Sequence, residues 1–276
     1  MKRALVFDSG VGGLSVLDAI ASSGAEIELD YLADNAWLPY GLKSDAELAA
    51  RIPALIARVA EQWRPDAIVL ACNTASTIAL DQTRAALSIP VIGVVPPIKP
   101  AAAATKTGVI GLLATPATVR RVYTTQLIAD FAADKRVVRH GSSALVAAAE
   151  AKLAGAPVDQ AAILEAIMGL FSAPGGGEID VVALACTHFP LLIEELSAAA
   201  PRPCAWLDSG AAIARRLANV LILPQGQARA RHAGFTDAST ATPLFPAFHA
   251  RGFRAMAHIK PAPSFDTEPL SGIATA

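Results

Sequence analysis

The sequence predicts an α/β protein made of two similar, doubly wound lobes, each with a parallel sheet, and a functional site in the cleft between them. Short apolar runs alternate with longer amphipathic segments rich in alanine, as parallel strands alternate with the helices that cover them. Two pairs of segments also resemble each other in the same order along the chain. The 276 residues, 53% of them hydrophobic, are enough for one large domain or two small ones.

Five apolar runs are interpreted as buried strands, because each ends in glycine or in a polar residue. They are residues 4–7, 67–71, 91–95, 108–114 and 181–185. Two segments, residues 45–63 and 119–132, are interpreted as helices because their apolar residues return every three or four positions. Ligands of such sheets bind just beyond the carboxyl ends of the strands, so the residues after each strand are the candidates for chemistry.

The internal similarity pairs residues 67–77 with 181–192, and residues 5–17 with 109–122. In the first pair, each strand ends in Ala-Cys, and two polar residues and a predicted helix start follow. The Pro-rich stretch 93–101 is the predicted crossing between the lobes, since consecutive prolines disfavour regular structure.

The predicted division of the chain follows from that crossing and from a return to the first lobe near residue 206. The first lobe comprises residues 1–97 and 206–262, the second comprises 98–205, and the Pro- and Ser-rich residues 263–276 are expected to form a disordered tail.

Composition excludes several classes of function. The 23 basic and 24 acidic residues give a net charge of −1, without the basic excess that a nucleic acid or an anionic membrane requires. No apolar stretch reaches the length of about 18 residues needed to span a membrane, and the first apolar run stops at Asp8, too early for a signal peptide. We therefore expect a cytoplasmic protein with a small-molecule substrate.

Cysteine and histidine patterns give no indication of a metal site or a disulfide. Neither a Cys-x-x-Cys pair nor a His-x-x-x-His pattern occurs, so we expect no metal. Three cysteines cannot all pair, and thiols of a cytosolic chain are expected to be reduced. Cys204, in a Pro-rich turn without a matching motif, is expected to be inert.

Cys72 and Cys186 are the most informative residues. A free cysteine is often simply buried in the core, but these two occupy matching contexts in the two predicted lobes. Each follows a strand and precedes a predicted helix start, where backbone N–H groups and the helix dipole favour a thiolate. Thiols that face each other across a cleft are suited to inverting a stereocentre, because one can remove a proton from a carbon while the other delivers a proton to the opposite face.

Seven segments closely resemble the bacterial glutamate racemases of the aspartate/glutamate racemase superfamily, in order, over roughly residues 4–256. They are residues 7–17 (FDSGVGGLSVL), 31–41 (YLADNAWLPYG), 69–77 (VLACNTAST), 93–101 (GVVPPIKPA), 111–123 (GLLATPATVRRVY), 181–192 (VVALACTHFPLL) and 206–216 (WLDSGAAIARR).

The resemblance implies a two-base racemase that works without a cofactor and supplies D-glutamate for peptidoglycan. It implies that Cys72 is the base that acts on D-glutamate and that Cys186 acts on L-glutamate. Asp8 and His188 would assist the two thiols, and Glu150 matches an auxiliary acidic residue of the family. The glycines after Asp8 do not complete a dinucleotide-binding pattern, so no nucleotide is implied.

Further residues match the substrate-binding positions of the family. Hydroxyl and amide side chains and helix-start N–H groups would hold the two carboxylates of glutamate. The implied substrate-binding residues are Asp8, Ser9, Tyr40, Gly41, Asn73, Thr74, Thr115, Thr118, Thr187 and His188. The family often has glycine where this chain has Ala117, which makes the assignment of Thr118 less direct.

Three other functions remain open from the residues alone. An amino-acid-binding module would also have two lobes around a cleft, and a cysteine hydrolase would use one thiol with His188 as base but leave the second thiol motif unexplained. An aspartate racemase, or another amino-acid racemase of the same superfamily, is the nearest alternative. The sequence does not decide the oligomeric state, and a homodimer is compatible with it.

Overall fold

The structure is a computed structural model that describes residues 1–260, so the predicted tail at 263–276 lies outside the described residues. Two parallel sheets with interleaved helices confirm the predicted α/β fold. A membrane-spanning helix is not found within residues 1–260.

Ten strands are described. They are β1 (Arg3–Asp8), β2 (Ile27–Ala33), β3 (Ala67–Leu70), β4 (Val91–Gly93), β5 (Val109–Ala114), β6 (Arg136–Gly141), β7 (Val181–Ala185), β8 (Ala205–Leu207), β9 (Ala228–Phe235) and β10 (Met256–His258).

Helices follow most of these strands. They are α1 (Leu14–Ala21), α2 (Asp45–Trp63), α3 (Asn73–Ala86), α4 (Ile98–Ala104), α5 (Pro116–Arg120), α6 (Val122–Phe131), α7 (Ala144–Leu153), α8 (Gln160–Phe171), α9 (Ile193–Ala199), α10 (Gly210–Leu221), α11 (Ala238–Ala241) and α12 (Phe245–His249).

The strand order of the smaller sheet matches that of four strands of the larger sheet. The first and larger sheet is β10-β9-β2-β1-β3-β4 and the second is β6-β5-β7-β8, so β2-β1-β3-β4 corresponds to β6-β5-β7-β8. The similar sequence segments form β1 and β5, and β3 and β7, at equivalent places in their sheets. The predicted similarity of the two halves is thereby confirmed, whereas the boundaries at 97/98 and 205/206 stay a prediction.

Apolar side chains fill both faces of each sheet, which explains why the strands read as continuous hydrophobic runs. On the first sheet, Val6 and Tyr31 pack towards α1 and α10, and Leu5 and Phe7 pack towards α2 and α3. The second sheet is covered by α7 and α8 on one face and by α4 and α6 on the other. Both sheets are thus rigid supports for the loops at their carboxyl ends.

Element boundaries agree with the sequence in part. Helix α2 and strand β7 have the predicted bounds, but the strand expected at 91–95 stops at Gly93. The helix expected at 119–132 is two helices, because Arg121 is extended between them (φ −65°, ψ 139°). Across the boundary between these helices, Thr124 Oγ1 donates a hydrogen bond to the Thr118 carbonyl at 2.7 Å.

The start of α2 has a capping box that should contribute to stability. Ser44 Oγ accepts from the Glu47 N–H, and the Glu47 carboxylate accepts from the Ser44 N–H. We expect Ser44→Ala to lower the melting temperature by about 2 °C, measured by circular dichroism. Ser197→Ala, at an exposed position inside α9, is the control and should not lower it. An equal loss in both variants would contradict the capping assignment.

Candidate functional site

A cavity lies between the lobes, at the carboxyl ends of β1, β3, β5 and β7. Most residues singled out in the sequence line it: Ser9, Tyr40, Gly41, Cys72, Asn73, Thr74, Thr115, Thr118, Cys186, Thr187 and His188. Asp8 and Glu150 do not line it but contact residues that do. Leu38, Pro39, Val146 and Ala185 complete the lining. The structure therefore brings together residues that are more than 170 positions apart in the sequence.

Cys72 lies directly before α3 and is 7% exposed. Its Sγ is 3.8 Å from Ser9 Oγ, and Ser9 Oγ donates to Asp8 Oδ1 at 3.4 Å. Burial, followed by the nearby Asp8 carboxylate, raises the pKa of Cys72 to about 12, and the hydrogen bond from the Ala75 N–H only partly offsets this. The helix start therefore does not make Cys72 acidic, contrary to the sequence-based expectation, because desolvation outweighs it.

Asp8 connects the two lobes at the base of the cavity. It is fully buried and accepts hydrogen bonds from the Gly10 N–H and from Thr187 Oγ1, both at 2.9 Å. Desolvation raises the pKa of this carboxyl although His188 opposes the shift, so Asp8 accepts a proton more readily than an exposed aspartate. It is not a helix cap, since α1 begins only at Leu14.

Cys186 has a different environment from Cys72. A 3₁₀ turn, Phe189–Leu192, follows it, and α9 begins only at Ile193, so the helix start expected directly after this thiol is wrong. Instead, His188 Nδ1 lies 3.8 Å from Cys186 Sγ. Imidazole, rather than a helix dipole, is the group that faces this sulfur.

His188 bridges Cys186 and Glu150. Its Nε2 lies 2.7 Å from Glu150 Oε1. Burial disfavours the charged ring, but the hydrogen bonds and charges of Cys186 and Glu150 outweigh burial and hold the pKa of His188 well above its usual value. The raised pKa favours the imidazolium form of the ring, which stabilises negative charge on Cys186 Sγ.

The glycine-rich loop after β1 packs against this group. Glu150 Oε1 also accepts from the Val11 N–H at 2.8 Å. A side chain at Gly10 would overlap the Glu150 carboxylate, and one at Gly12 would overlap His188 and Thr187. Glycine is therefore required here by close approach of the second lobe, not by a nucleotide.

The remaining wall is formed by neutral groups. Thr115 caps α5 by accepting from the Thr118 N–H at 3.3 Å, so this hydroxyl has a structural partner as well as a place on the wall. Asn73 Nδ2 is buried and has no hydrogen-bond partner among residues 1–260. Lysine and arginine are absent from the lining, and within the described part of the chain the acidic, histidine and cysteine side chains form no metal-binding group.

Three residues that support the site were not predicted from the sequence. Ser15 Oγ donates to the Thr187 carbonyl at 2.8 Å, and Tyr31 donates to the Gly10 carbonyl at 2.7 Å. Asp34 accepts a hydrogen bond from the Tyr40 hydroxyl at 2.7 Å, so this hydroxyl has a buried partner although Tyr40 lines the cavity. Tyr31 and Asp34 lie in and directly after β2, and predicting that strand would have indicated Asp34.

The different surroundings of the two thiols predict different reactivity. At about pH 7.5, iodoacetamide should alkylate Cys186 faster than Cys72, because only the thiolate reacts and the raised pKa keeps Cys72 protonated. The rate at Cys72 should rise about tenfold per pH unit as its thiolate accumulates. Peptide mass spectrometry measures both sites. His188→Asn should slow only Cys186, and faster alkylation of Cys72 at neutral pH would contradict the assignment.

Comparisons with known proteins agree with this geometry. The Asp/Glu/Hydantoin racemase family model matches residues 15–217. The glutamate racemase of Sphingopyxis alaskensis is 54% identical over 81% of this chain and 82% of its own, and that of Vibrio cholerae is 49% identical over the same shares. The crystal structure of Escherichia coli glutamate racemase with L-glutamate and the activator UDP-MurNAc-Ala has 40% identity and a TM-score of 0.85, covering 94% of this chain and 98% of that one. The chain therefore belongs to the Asp/Glu/Hydantoin racemase family.

Proposed function

We propose that this protein is a glutamate racemase that interconverts L- and D-glutamate by proton transfer between two cysteines, without a cofactor. The observation that carries the proposal is the pair of buried thiols. Cys72 and Cys186 follow equivalent strands, β3 and β7, of two sheets that share the order of four strands, and both line one cavity. The high identity to glutamate racemases supports glutamate as the substrate.

In the proposed reaction the thiolate of Cys186 removes the α-proton of L-glutamate. The electron pair stays on the α-carbon and its carboxylate, and the thiol of Cys72 delivers a proton to the opposite face, which gives D-glutamate. Cys186 is then a thiol and Cys72 a thiolate, ready for the reverse direction. Each direction thus needs one thiol and one thiolate.

Each cysteine has its own proposed proton route. On the Cys72 side, Ser9 lies between the sulfur and Asp8, whose raised pKa suits it to take a proton from that thiol. On the Cys186 side, the His188 imidazolium, held by Glu150, stabilises the thiolate. The two routes differ in chemistry although the strands that present them are equivalent.

The substrate carboxylates are proposed to bind neutral donors. Asn73 and Thr74 open α3, whose first N–H groups have no partner within the helix, and the unpartnered Asn73 Nδ2 adds one more donor. Thr115 and Thr118 supply hydroxyls around the same cavity, whereas the hydroxyl proton of Thr187 is donated to Asp8.

Alternatives within the superfamily are separated by substrate. An aspartate racemase would need the same two thiols, so incubation with L-glutamate and L-aspartate, followed by circular dichroism, distinguishes the two. A cysteine hydrolase would need one thiol only, and the second thiol in the same cavity disfavours it.

The physiological setting is part of the proposal. By resemblance, the D-glutamate supplies peptidoglycan synthesis, and the need for two reduced thiols supports action in the cytoplasm. We also propose a homodimer, whose interface would cover exposed apolar side chains such as Leu42 and Val122. Light scattering that shows only monomer would contradict the dimer without affecting the reaction.

The two thiols should act on opposite enantiomers. In heavy water, Cys72→Ser should lose exchange of the α-proton of D-glutamate while retaining some exchange of L-glutamate, and Cys186→Ser should do the reverse, since serine is too weak an acid to supply the anion. Proton NMR measures both exchanges. Cys204→Ser, outside the cavity, is the control and should racemise normally. Racemisation at the parent rate by Cys72→Ser or Cys186→Ser would rule out the mechanism.

The hydroxyl of Thr187 should matter for catalysis because it holds Asp8. Thr187→Val keeps the shape and removes that hydrogen bond, so we expect kcat/KM to fall by about tenfold or more. Thr187→Ser keeps the hydroxyl and should stay within about threefold of the parent. Coupled racemisation assays give both values, and equal activity of the valine and serine variants would refute the role of this hydrogen bond.

A further inference from the structure

Asp34 is a buried carboxylate next to the cavity that the proposed reaction does not use. It directly follows β2 and is fully buried. Arg51 of α2 donates to it twice, from Nε and from one terminal nitrogen, both at 2.7 Å. Thr236, just after β9, donates at 2.8 Å, and Tyr40 donates at 2.7 Å.

Four donors from three separate parts of the first lobe thus converge on one side chain. A bidentate arginine pair fixes the orientation of a carboxylate, and here it is buried on both sides, with side-chain exposures of 12% for Arg51 and 0% for Asp34. The Arg51 guanidinium also lies over the ring of Trp37, 4.5 Å from its centroid. The Asp34 carboxylate, which accepts the hydrogen bond from Tyr40, is therefore held in one position.

Tyr40 connects the Asp34 carboxylate to the cavity wall. Its hydroxyl points into the protein towards Asp34, while Tyr40 and Gly41 line the cavity. They begin the 3₁₀ turn Tyr40–Leu42, and the first N–H groups of a helical turn have no partner inside the turn. The orientation of the Tyr40 side chain consequently sets where these two backbone donors point.

We propose that Asp34 is a positioning residue for substrate binding: through the Tyr40 hydroxyl, it holds the Tyr40–Gly41 wall in the orientation that meets a substrate carboxylate. Arg51 and Thr236 fix Asp34 in turn. This inference rests on the proposed racemase function and adds to it a residue that touches neither the substrate nor the thiols. Weaker binding, more than slower proton transfer, is the expected consequence of its loss.

The test compares Asp34→Asn and Tyr40→Phe with the parent protein in glutamate racemisation, in both directions. Each variant should raise KM for both enantiomers by about tenfold and change kcat by less than about threefold, because the wall contributes to ground-state and transition-state binding alike. The double variant should have a KM no higher than the worse single variant, since both changes break one chain of contacts.

Asp30→Asn is the matched control. Asp30 lies in β2, the strand that Asp34 follows, is also fully buried, and accepts from the His232 backbone and ring, but it does not line the cavity. It should lower the melting temperature without raising KM. If Asp34→Asn does not fold, the KM of Tyr40→Phe alone tests the proposal, because this substitution removes only one hydroxyl group.

The outcomes separate the two proposals. Absence of glutamate racemisation by the parent protein would overturn the proposed function and this inference with it. If the parent protein is active, two results would overturn the inference alone. One is a KM of Tyr40→Phe within about twofold of the parent value, and the other is a double variant in which the KM increases of the two single variants multiply. A rise in KM for Asp30→Asn equal to that for Asp34→Asn would show general loosening of the lobe and would also overturn it.

Discussion

The contact between the loop after β1 and the second lobe determines the rest of the site. Asp8 accepts from Thr187, Glu150 accepts from the Val11 N–H, and Ser15 donates to the Thr187 carbonyl. Gly10 and Gly12 allow this approach because any side chain there would overlap the second lobe. Through these bonds, two sheets that fold from separate segments present their carboxyl ends to one cavity, with one thiol from each.

The two thiols are equally buried, and their charged neighbours make them unequal. Cys72 is desolvated next to a carboxylate, whereas Cys186 faces an imidazolium. In the free protein the raised pKa of Cys72 favours the thiol there, and this thiol is the proton donor that the proposed reaction needs for L-glutamate. Reaction with D-glutamate requires Cys72 as the thiolate. Asp8, whose pKa is raised, is the proposed acceptor of the Cys72 proton.

The sequence predicted the fold and most of the cavity lining because both depend on local patterns. Buried strands that end in Ala-Cys are visible as apolar runs, and their repetition revealed the two lobes. Strand β2 was not predicted since Asp30 interrupts its apolar pattern, and β9 was not predicted because ARARHAGF alternates with charges. Missing β2 hid Asp34. The contact between His188 and Glu150, which are 38 positions apart, depends on long-range packing that a local pattern does not show.

In the proposed mechanism, two different groups handle the proton on the two faces of the α-carbon. This is tested most directly by racemisation of L-glutamate by the parent protein in heavy water, stopped at low conversion and analysed by mass spectrometry and chiral separation. We expect the D-glutamate formed to carry deuterium at the α-carbon while the remaining L-glutamate keeps its original hydrogen. D-glutamate that retains the α-hydrogen of the substrate would indicate a single base and contradict the two-base mechanism.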